Sequence, residues 1–128
     1  MYSGEAKDKL LDVMENGLKK EADTHEKFPD FRAGLLDSFY TLKVMHQAPV
    51  IIMVYNPYGG SPFEQVETDA RISEICDTLS VGAAIENMLL KATEIRLGTL
   101  WIANTLFAYS FFCRNGTFCV PYCPPRRR

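Results

Sequence analysis

A long helical pattern within Arg71–Asn104 constrains the fold of this chain more than any other stretch. Apolar residues recur along it at spacings of three and four, which is the period of one face of an α-helix. Its middle, SVGAAIENMLL from Ser80 to Leu90, is small or apolar almost all round, whereas a surface helix keeps one polar face. We therefore predict a helix over Thr68–Leu97 that is buried on most sides. At about 1.5 Å per residue, it would be about 45 Å long.

The end of this pattern is the most informative place to look for a site. Gly98 follows the last periodic residue and is predicted to end the helix, as glycine commonly does at this position. The next four residues, Thr99–Ile102, have the composition of a short buried strand. Within the helix, the small residues Gly82, Ala83 and Ala84 would let another backbone or a flat ligand approach closely.

The preceding half of the chain predicts two more helices and one strand. Glu5–Glu21 carries an apolar stripe with charged residues opposite, and Phe31–His46 has a similar apolar pattern. Pro49 breaks the second helix. The unbroken apolar run Val50–Tyr55 is typical of a central strand that is covered on both faces.

Three segments, in order, resemble the FMN-dependent nitroreductase family. The family's central helix and following strand are similar to SVGAAIENMLLKATEIRLGTLWI. Its helix-to-strand junction is similar to YTLKVMHQAPVII, and the helix before that junction is similar to Gly4–Glu21. The resemblance covers residues 2–112 and implies an incomplete α+β fold with three α/β/α layers, in which the long central helix packs on a small sheet. It also implies a partial nitroreductase-like domain over 1–112, beginning after about the first quarter of the family's domain.

The resemblance further implies an enzyme that passes hydride from NAD(P)H to FMN and then to a nitro, quinone or similar small-molecule acceptor. Such an enzyme needs no catalytic side chain, because the flavin carries the chemistry. In the family, a homodimer holds the flavin at its interface, and the backbone that corresponds to Trp101, Ile102, Ala103 and Asn104 touches the flavin ring. These four residues are the predicted cofactor-binding site, although Ala103-Asn104 departs from the residues that are common there.

The segments that hold the flavin phosphate in the family are missing from this sequence. In the family, an opening arginine- and serine-bearing segment and a closing basic segment hold the phosphate. A chain without them should bind FMN poorly, and one expectation is that this chain is inactive because it is truncated. The alternative hypothesis is a non-catalytic fragment or interaction module that does not bind flavin and uses its uncovered apolar helix faces to bind a partner chain. Flavin binding distinguishes the two hypotheses.

Several polar residues have both a structural and a functional interpretation. His25 lies in a polar connector with no metal-ligand spacing around it, so we expect a surface histidine. His46 ends the second helix, where a protonated imidazole caps the helix dipole more often than it catalyses. Glu86 or Asn87 could have a functional role near a flavin or at a subunit contact. We favour a structural role, in which they hydrogen-bond to a neighbouring helix. The loop NPYGGSP lacks the lysine of a phosphate-binding loop and is expected to be a turn.

The last 16 residues, CRNGTFCVPYCPPRRR, have a different composition from the rest of the chain. Cys113, Cys119 and Cys123 suggest zinc only weakly, because they lack a histidine partner and a C-x-x-C pair. A cytoplasmic compartment argues against a disulfide. We favour an irregular, non-native tail over 113–128, as from a shifted reading frame, and predict no metal site.

Charge and hydropathy exclude two classes of partner. The net charge is −2, which provides no electrostatic reason for binding nucleic acid. The longest apolar runs are far shorter than the ~20 residues that cross a bilayer. No charged-then-apolar leader opens the chain. The sequence therefore predicts a cytoplasmic protein with no nucleic acid and no membrane among its partners.

Overall fold

The computed structural model describes residues 1–25, 27–28, 30, 32–56 and 63–108. These ranges contain three α-helices, α1 (Gly4–Thr24), α2 (Arg32–Gln47) and α3 (Thr68–Glu94), and a short 3-10 helix, Asn104–Ala108. The three predicted α-helices are confirmed, each with ends within one turn of those predicted.

The predicted α+β fold, with a long central helix on a small sheet in three layers, is wrong for this part of the chain. Val50–Tyr55 and Thr99–Ile102, which were expected to be strands, form none. The β-type pairing among the described residues is limited to one antiparallel bridge, in which Tyr2 and Ile51 exchange two hydrogen bonds of 2.7 and 2.9 Å. Apolar, β-branched composition favours an extended backbone, but a strand also needs a neighbouring strand to receive its hydrogen bonds.

The described residues divide into two compact units. One consists of Met1–Met53 together with 102–108, and it contains α1, α2 and the 3-10 helix. The other is Val54–Trp101, which contains α3. The predicted domain boundary at residue 112 and the predicted tail over 113–128 lie outside the described residues.

The core of the first unit forms where α1 packs against α2 and against the 3-10 helix. The apolar stripe predicted for α1 is buried, and four of its side chains are at most 1% exposed. Burying a leucine-sized side chain contributes about 1.5–3 kcal/mol, so this stripe is the main source of stability in the unit. The buried apolar residues are Leu10, Leu11, Met14, Leu18, Leu35, Leu42, Met45, Ile51 and Ala108.

The C-terminal end of α2 is capped by a side chain from α1. The Lys7 ammonium donates to the carbonyl oxygens of His46 (3.1 Å) and Ala48 (2.9 Å). Carbonyls at a helix C-terminus lack intrahelical partners and lie at the negative end of the helix dipole, so a cation is favourable there. The predicted capping role therefore belongs to Lys7, while the His46 side chain in the last turn is exposed.

The connector from α1 to α2 is held by a buried carboxylate. Glu21 is 7% exposed, and its Oε1 accepts hydrogen bonds from the backbone N–H groups of Lys27 and Phe28, both at 2.9 Å. The Phe28 ring packs against Phe107 of the 3-10 helix with 4.5 Å between ring centroids. Glu21 thus fixes the connector, and the connector's aromatic ring in turn contacts the 3-10 helix.

The exposed face of α1 carries ion pairs one turn apart, Glu5 with Lys9 and Glu15 with Lys19, both at 2.6 Å. The hydrogen bond from Lys19 holds the pKa of the Glu15 carboxyl below its usual value, and the positive charge of Lys19 acts in the same direction. The resulting stabilisation is present at neutral pH and is lost as the pH falls through that lowered pKa. Solvent screening keeps the contribution of such pairs small.

The prediction that α3 is buried on most sides is wrong. No residue of this helix is buried, and Leu79 remains 69% exposed. The sequence pattern predicts a helix with an apolar face that favours burial. It does not predict which other segment packs against that face. None of the described helices has both the length and the hydropathy needed to span a bilayer.

The C-terminal end of α3 differs from the predicted glycine stop. The helix ends at Glu94, and Arg96 occupies the left-handed region with φ of 63°. The N–H of Arg96 donates to the Thr93 carbonyl (3.0 Å), and the N–H of Leu97 donates to the Ala92 carbonyl (2.8 Å). This pair of hydrogen bonds is a Schellman motif, and its left-handed position is usually glycine. Here an arginine occupies it, two residues before Gly98.

We expect Arg96→Gly to raise the unfolding free energy of the α3 unit by about 1 kcal/mol, because glycine removes the strain of the left-handed backbone. Thermal unfolding followed by circular dichroism and by the fluorescence of Trp101, the single tryptophan, measures it. Gly98→Ala is the matched comparison: Gly98 lies outside the left-handed region, and a Cβ there would meet no atom within 4 Å. It should be neutral or stabilising; a clear destabilisation by Gly98→Ala would show that Gly98 is the cap after all.

Candidate functional site

The four predicted cofactor-binding residues are consecutive, but they fall in different units. Trp101 ends the α3 unit and is 49% exposed. Ile102 is half-buried and packs against the core of the first unit, whereas Ala103 is exposed. Asn104 begins the 3-10 helix. Each residue is therefore described with the unit to which it belongs.

The side chain of Asn104 is directed at α2. Its Nδ2 donates to the Thr41 hydroxyl at 2.9 Å and lies 3.3 Å from Oδ2 of Asp37. The Thr41 hydroxyl donates in turn to the Asp37 backbone carbonyl at 3.0 Å. The Ser38 hydroxyl donates to the Gly34 carbonyl at 2.8 Å and lies 3.5 Å from the Asn104 carbonyl. We call the set of Asp37, Thr41 and Asn104, with the hydrogen bonds that join these three residues, the Asn104 clamp.

The proton positions in the clamp determine the orientation of the carboxamide. Because the one hydroxyl proton of Thr41 goes to the Asp37 carbonyl, Thr41 can only accept from Asn104. The Asp37 carboxylate also accepts, so both partners require the NH₂ group of Asn104. The carboxamide oxygen of Asn104 is consequently shielded from solvent and has no partner among the described residues. The clamp fixes the Asn104 side chain through its donors alone.

The backbone just before the clamp has donors that the described residues do not use. In the part of the chain that the structure describes, the backbone N–H groups of residues 98–103 make no hydrogen bond. Ala103 is exposed, and Ile102 is half-buried on the core. Free N–H groups on a backbone that is anchored at one end can bind an electron-rich ligand atom without first breaking an internal hydrogen bond.

The small residues of α3 have a specific neighbour within their own unit. A Cβ built at Gly82 would lie 3.6 Å from Cη2 of Trp101, which is an ordinary van der Waals contact. The Trp101 ring therefore approaches the helix at its glycine, while Ala83 and Ala84 are exposed. The predicted close approach is made here by an aromatic side chain of the same unit.

The other polar candidates do not form a reaction centre. His25 ends α1 in the left-handed region with φ of 48°, and its Nδ1 is shielded and unpaired among the described residues. Glu86 and Asn87 are exposed and make no side-chain hydrogen bond in the described ranges, so the favoured bond to a neighbouring helix is not observed. A shallow pocket along α3 is lined by Arg71, but that guanidinium is paired with Glu74.

Metal binding has no support within the described ranges. No three His, Cys, Asp or Glu side chains there are close enough together to hold a metal ion. Cys76 on α3 is an exposed free thiol. Cys113, Cys119 and Cys123, and residues 57–62 of the NPYGGSP loop, lie outside the described residues.

Sequence reasoning did not identify Asp37 and Thr41 as partners of Asn104. Their spacing of four residues places both side chains on one face of α2, and this spacing is the only signal that a sequence reader could have used. Their contact with a residue more than sixty positions away requires the tertiary structure. The same applies to Lys7, which caps a helix about forty positions further along the chain.

Comparison with known proteins assigns the chain to a family. The model of the Nitroreductase family matches residues 1–121, nearly the whole sequence and all of the described helices. No curated protein matches the chain in the corresponding sequence comparison.

Proposed function

The chain belongs to the nitroreductase family, and from that premise we propose that it binds FMN and acts as an NAD(P)H-dependent oxidoreductase. Membership itself supports an oxidoreductase-like function. The single observation that carries the more specific proposal is the segment Trp101–Asn104, whose backbone donors make no hydrogen bond among the described residues and whose end is anchored on α2. The donors are the N–H groups of Ile102 and Ala103.

The residues present fit part of what a flavin needs. Bound FMN would accept a hydride and release the electrons to a second substrate, and hydrogen-bond donors near the ring's N1 and N5 tune that chemistry. The backbone N–H groups of Ile102 and Ala103 would be those donors. Asn104 would hold the end of this backbone on α2. No side chain of this segment needs to transfer a proton.

The expected substrates are NAD(P)H and a small-molecule acceptor such as a nitro compound or quinone, which react in turn. The nicotinamide loses a hydride in the first half-reaction, and the acceptor gains two electrons, with protons from solvent, in the second. This assignment comes from the family resemblance.

We also propose that the chain forms a homodimer through α3. The support is the apolar surface of this helix: Ile72, Ile75, Leu79 and Leu90 are each more than half exposed. Apolar surface of this extent on a single helix favours an interface with another chain. The same observation favours the second candidate function, a non-catalytic interaction module that uses α3 without binding flavin.

Flavin binding separates the two candidates. The purified chain is mixed with FMN, freed of excess ligand by gel filtration, and examined by visible absorption and by light scattering. We expect FMN to bind weakly to a dimer, as the sequence predicts, so retention is measured over a range of FMN concentrations. NADPH or NADH should bleach the bound flavin anaerobically, and a quinone should restore the colour. Riboflavin serves as the matched ligand without the phosphate. If, at every concentration tested, neither FMN nor riboflavin stays with the protein or has its fluorescence quenched by it, the flavin proposal is wrong. A dimer without flavin would then favour the interaction module.

A further inference from the structure

We propose that the Asn104 clamp is a positioning device: Asp37 and Thr41 of α2 hold the backbone of 102–104 so that its N–H groups face the flavin ring. The inference rests on the proposed function and extends it to two residues that contact the predicted site only at the Asn104 side chain. They would act only through Asn104.

The segment before Asn104 is anchored at its C-terminal end. The backbone N–H groups of residues 98–103 make no hydrogen bond in the described part of the chain, so no donor of this segment fixes its backbone. Two contacts fix its far end: Ile102 packs against the core, and Asn104 bonds to α2. A hydrophobic contact restricts distance but not rotation, whereas a pair of directional hydrogen bonds also restricts orientation. The clamp is therefore the element that can orient the preceding N–H groups.

The construction of the clamp supports a role beyond ordinary surface pairing. Thr41 is only 9% exposed, and it lies between Asn104 and the Asp37 carbonyl in a chain of hydrogen bonds that runs in one direction. Such chains polarise one another and are stronger than isolated bonds. The clamp also leaves the Asn104 carboxamide oxygen shielded and without a partner among the described residues. A polar atom left unpaired is a cost that a purely stabilising contact would avoid.

Three variants test the clamp. Asn104→Asp replaces the donor with a carboxylate at a position 3.3 Å from the Asp37 carboxylate, so repulsion should open the clamp. Thr41→Val keeps the shape of the side chain and removes the acceptor, whereas Thr41→Ser keeps the hydroxyl and is the conservative variant. Asn16→Asp, at an exposed position on α1, is the matched control for the added charge.

The first readout needs no flavin. Backbone order parameters of the 102–104 amides, from NMR relaxation of the flavin-free chain, should fall in Asn104→Asp and Thr41→Val and stay unchanged in Thr41→Ser and Asn16→Asp. Circular dichroism confirms that each variant is folded. Equal order in all variants would overturn the inference, whatever the flavin measurements show.

The second readout is the flavin itself. We expect FMN to bind about tenfold more weakly to Asn104→Asp and Thr41→Val, as the loss of one well-placed hydrogen bond implies. The midpoint potential of the bound flavin should become more negative, because donors that stabilise the electron-rich reduced ring are displaced. Unchanged affinity and potential, despite mobile 102–104 amides, would overturn the positioning role and leave the proposed function intact. Absence of FMN binding by the unmodified chain would instead overturn the proposed function, and with it the role of the clamp toward flavin.

Discussion

Replacing Leu11 with alanine is expected to lower the unfolding free energy of the first unit by about 2–5 kcal/mol. The Leu11 side chain is 0% exposed and lies in the stripe of α1 that packs within the core. Truncation removes its transfer free energy and leaves a cavity, which the surrounding side chains fill only in part. Urea unfolding followed by circular dichroism measures the loss.

Leu36→Ala is the matched control for this experiment. The chemistry of the substitution is identical, but Leu36 on α2 is 72% exposed. We expect a change within about 0.5 kcal/mol, as for other surface substitutions. If Leu36→Ala cost as much as Leu11→Ala, the Leu36 face of α2 would have to be buried in solution, and the assignment of the core to α1 would need revision.

The second large effect is expected at Glu21. In the native chain, the backbone N–H groups of Lys27 and Phe28 both donate to Glu21 Oε1 at 2.9 Å. Alanine at position 21 removes this acceptor. Hydrogen bonds to a charged group contribute about 1.5–3 kcal/mol, so Glu21→Ala should lower the unfolding free energy by about 2–4 kcal/mol. The same urea titration measures this loss.

Two comparisons separate the hydrogen bonds of Glu21 from its charge. Glu21→Gln keeps an oxygen that can accept from both N–H groups, so it should lose less than half as much stability as Glu21→Ala. Glu5→Ala removes an exposed carboxylate that is paired with Lys9, and such pairs contribute about 0–1 kcal/mol. Equal losses in the glutamine and alanine variants would mean that the charge, rather than the connector geometry, is what Glu21 provides.

The loss of the connector would also reach the 3-10 helix. Phe28 packs on Phe107, which follows Asn104 by three residues within that helix. Glu21→Ala should therefore increase the mobility of the 102–104 amides as well, although Glu21 lies far from Asp37 and Thr41 in the chain. The NMR experiment proposed for the clamp can include this variant.

The helices of this chain follow from the local sequence, whereas its strand pairing and side-chain contacts depend on distant partners. Periodicity predicted all three α-helices, because each helix is built from hydrogen bonds four residues apart and needs no outside information. The strands predicted at Val50–Tyr55 and Thr99–Ile102 were wrong, because an extended run becomes a strand only when another segment pairs with it.

The ends of helices lie between these two cases. Gly98 was the expected terminator of α3, since glycine favours the left-handed region. The structure places Arg96 there instead, with both hydrogen bonds of the Schellman motif formed. Backbone propensity favours glycine in the left-handed region, but the geometry of the last helical turn decides which position adopts it. At that position, Arg96 is tolerated at a cost of about 1 kcal/mol.

By itself, the sequence determined the helices, their apolar faces and the resemblance that the family match confirmed. Only the tertiary structure decided which apolar face is buried: the stripe of α1 lies in a core, while the apolar residues of α3 are not buried among the described residues. It also decided that Asn104 bonds to Asp37 and Thr41. The physical reason is range. Helix formation depends on neighbours within one turn, whereas burial and side-chain pairing depend on which distant segments meet, and local periodicity carries no record of that.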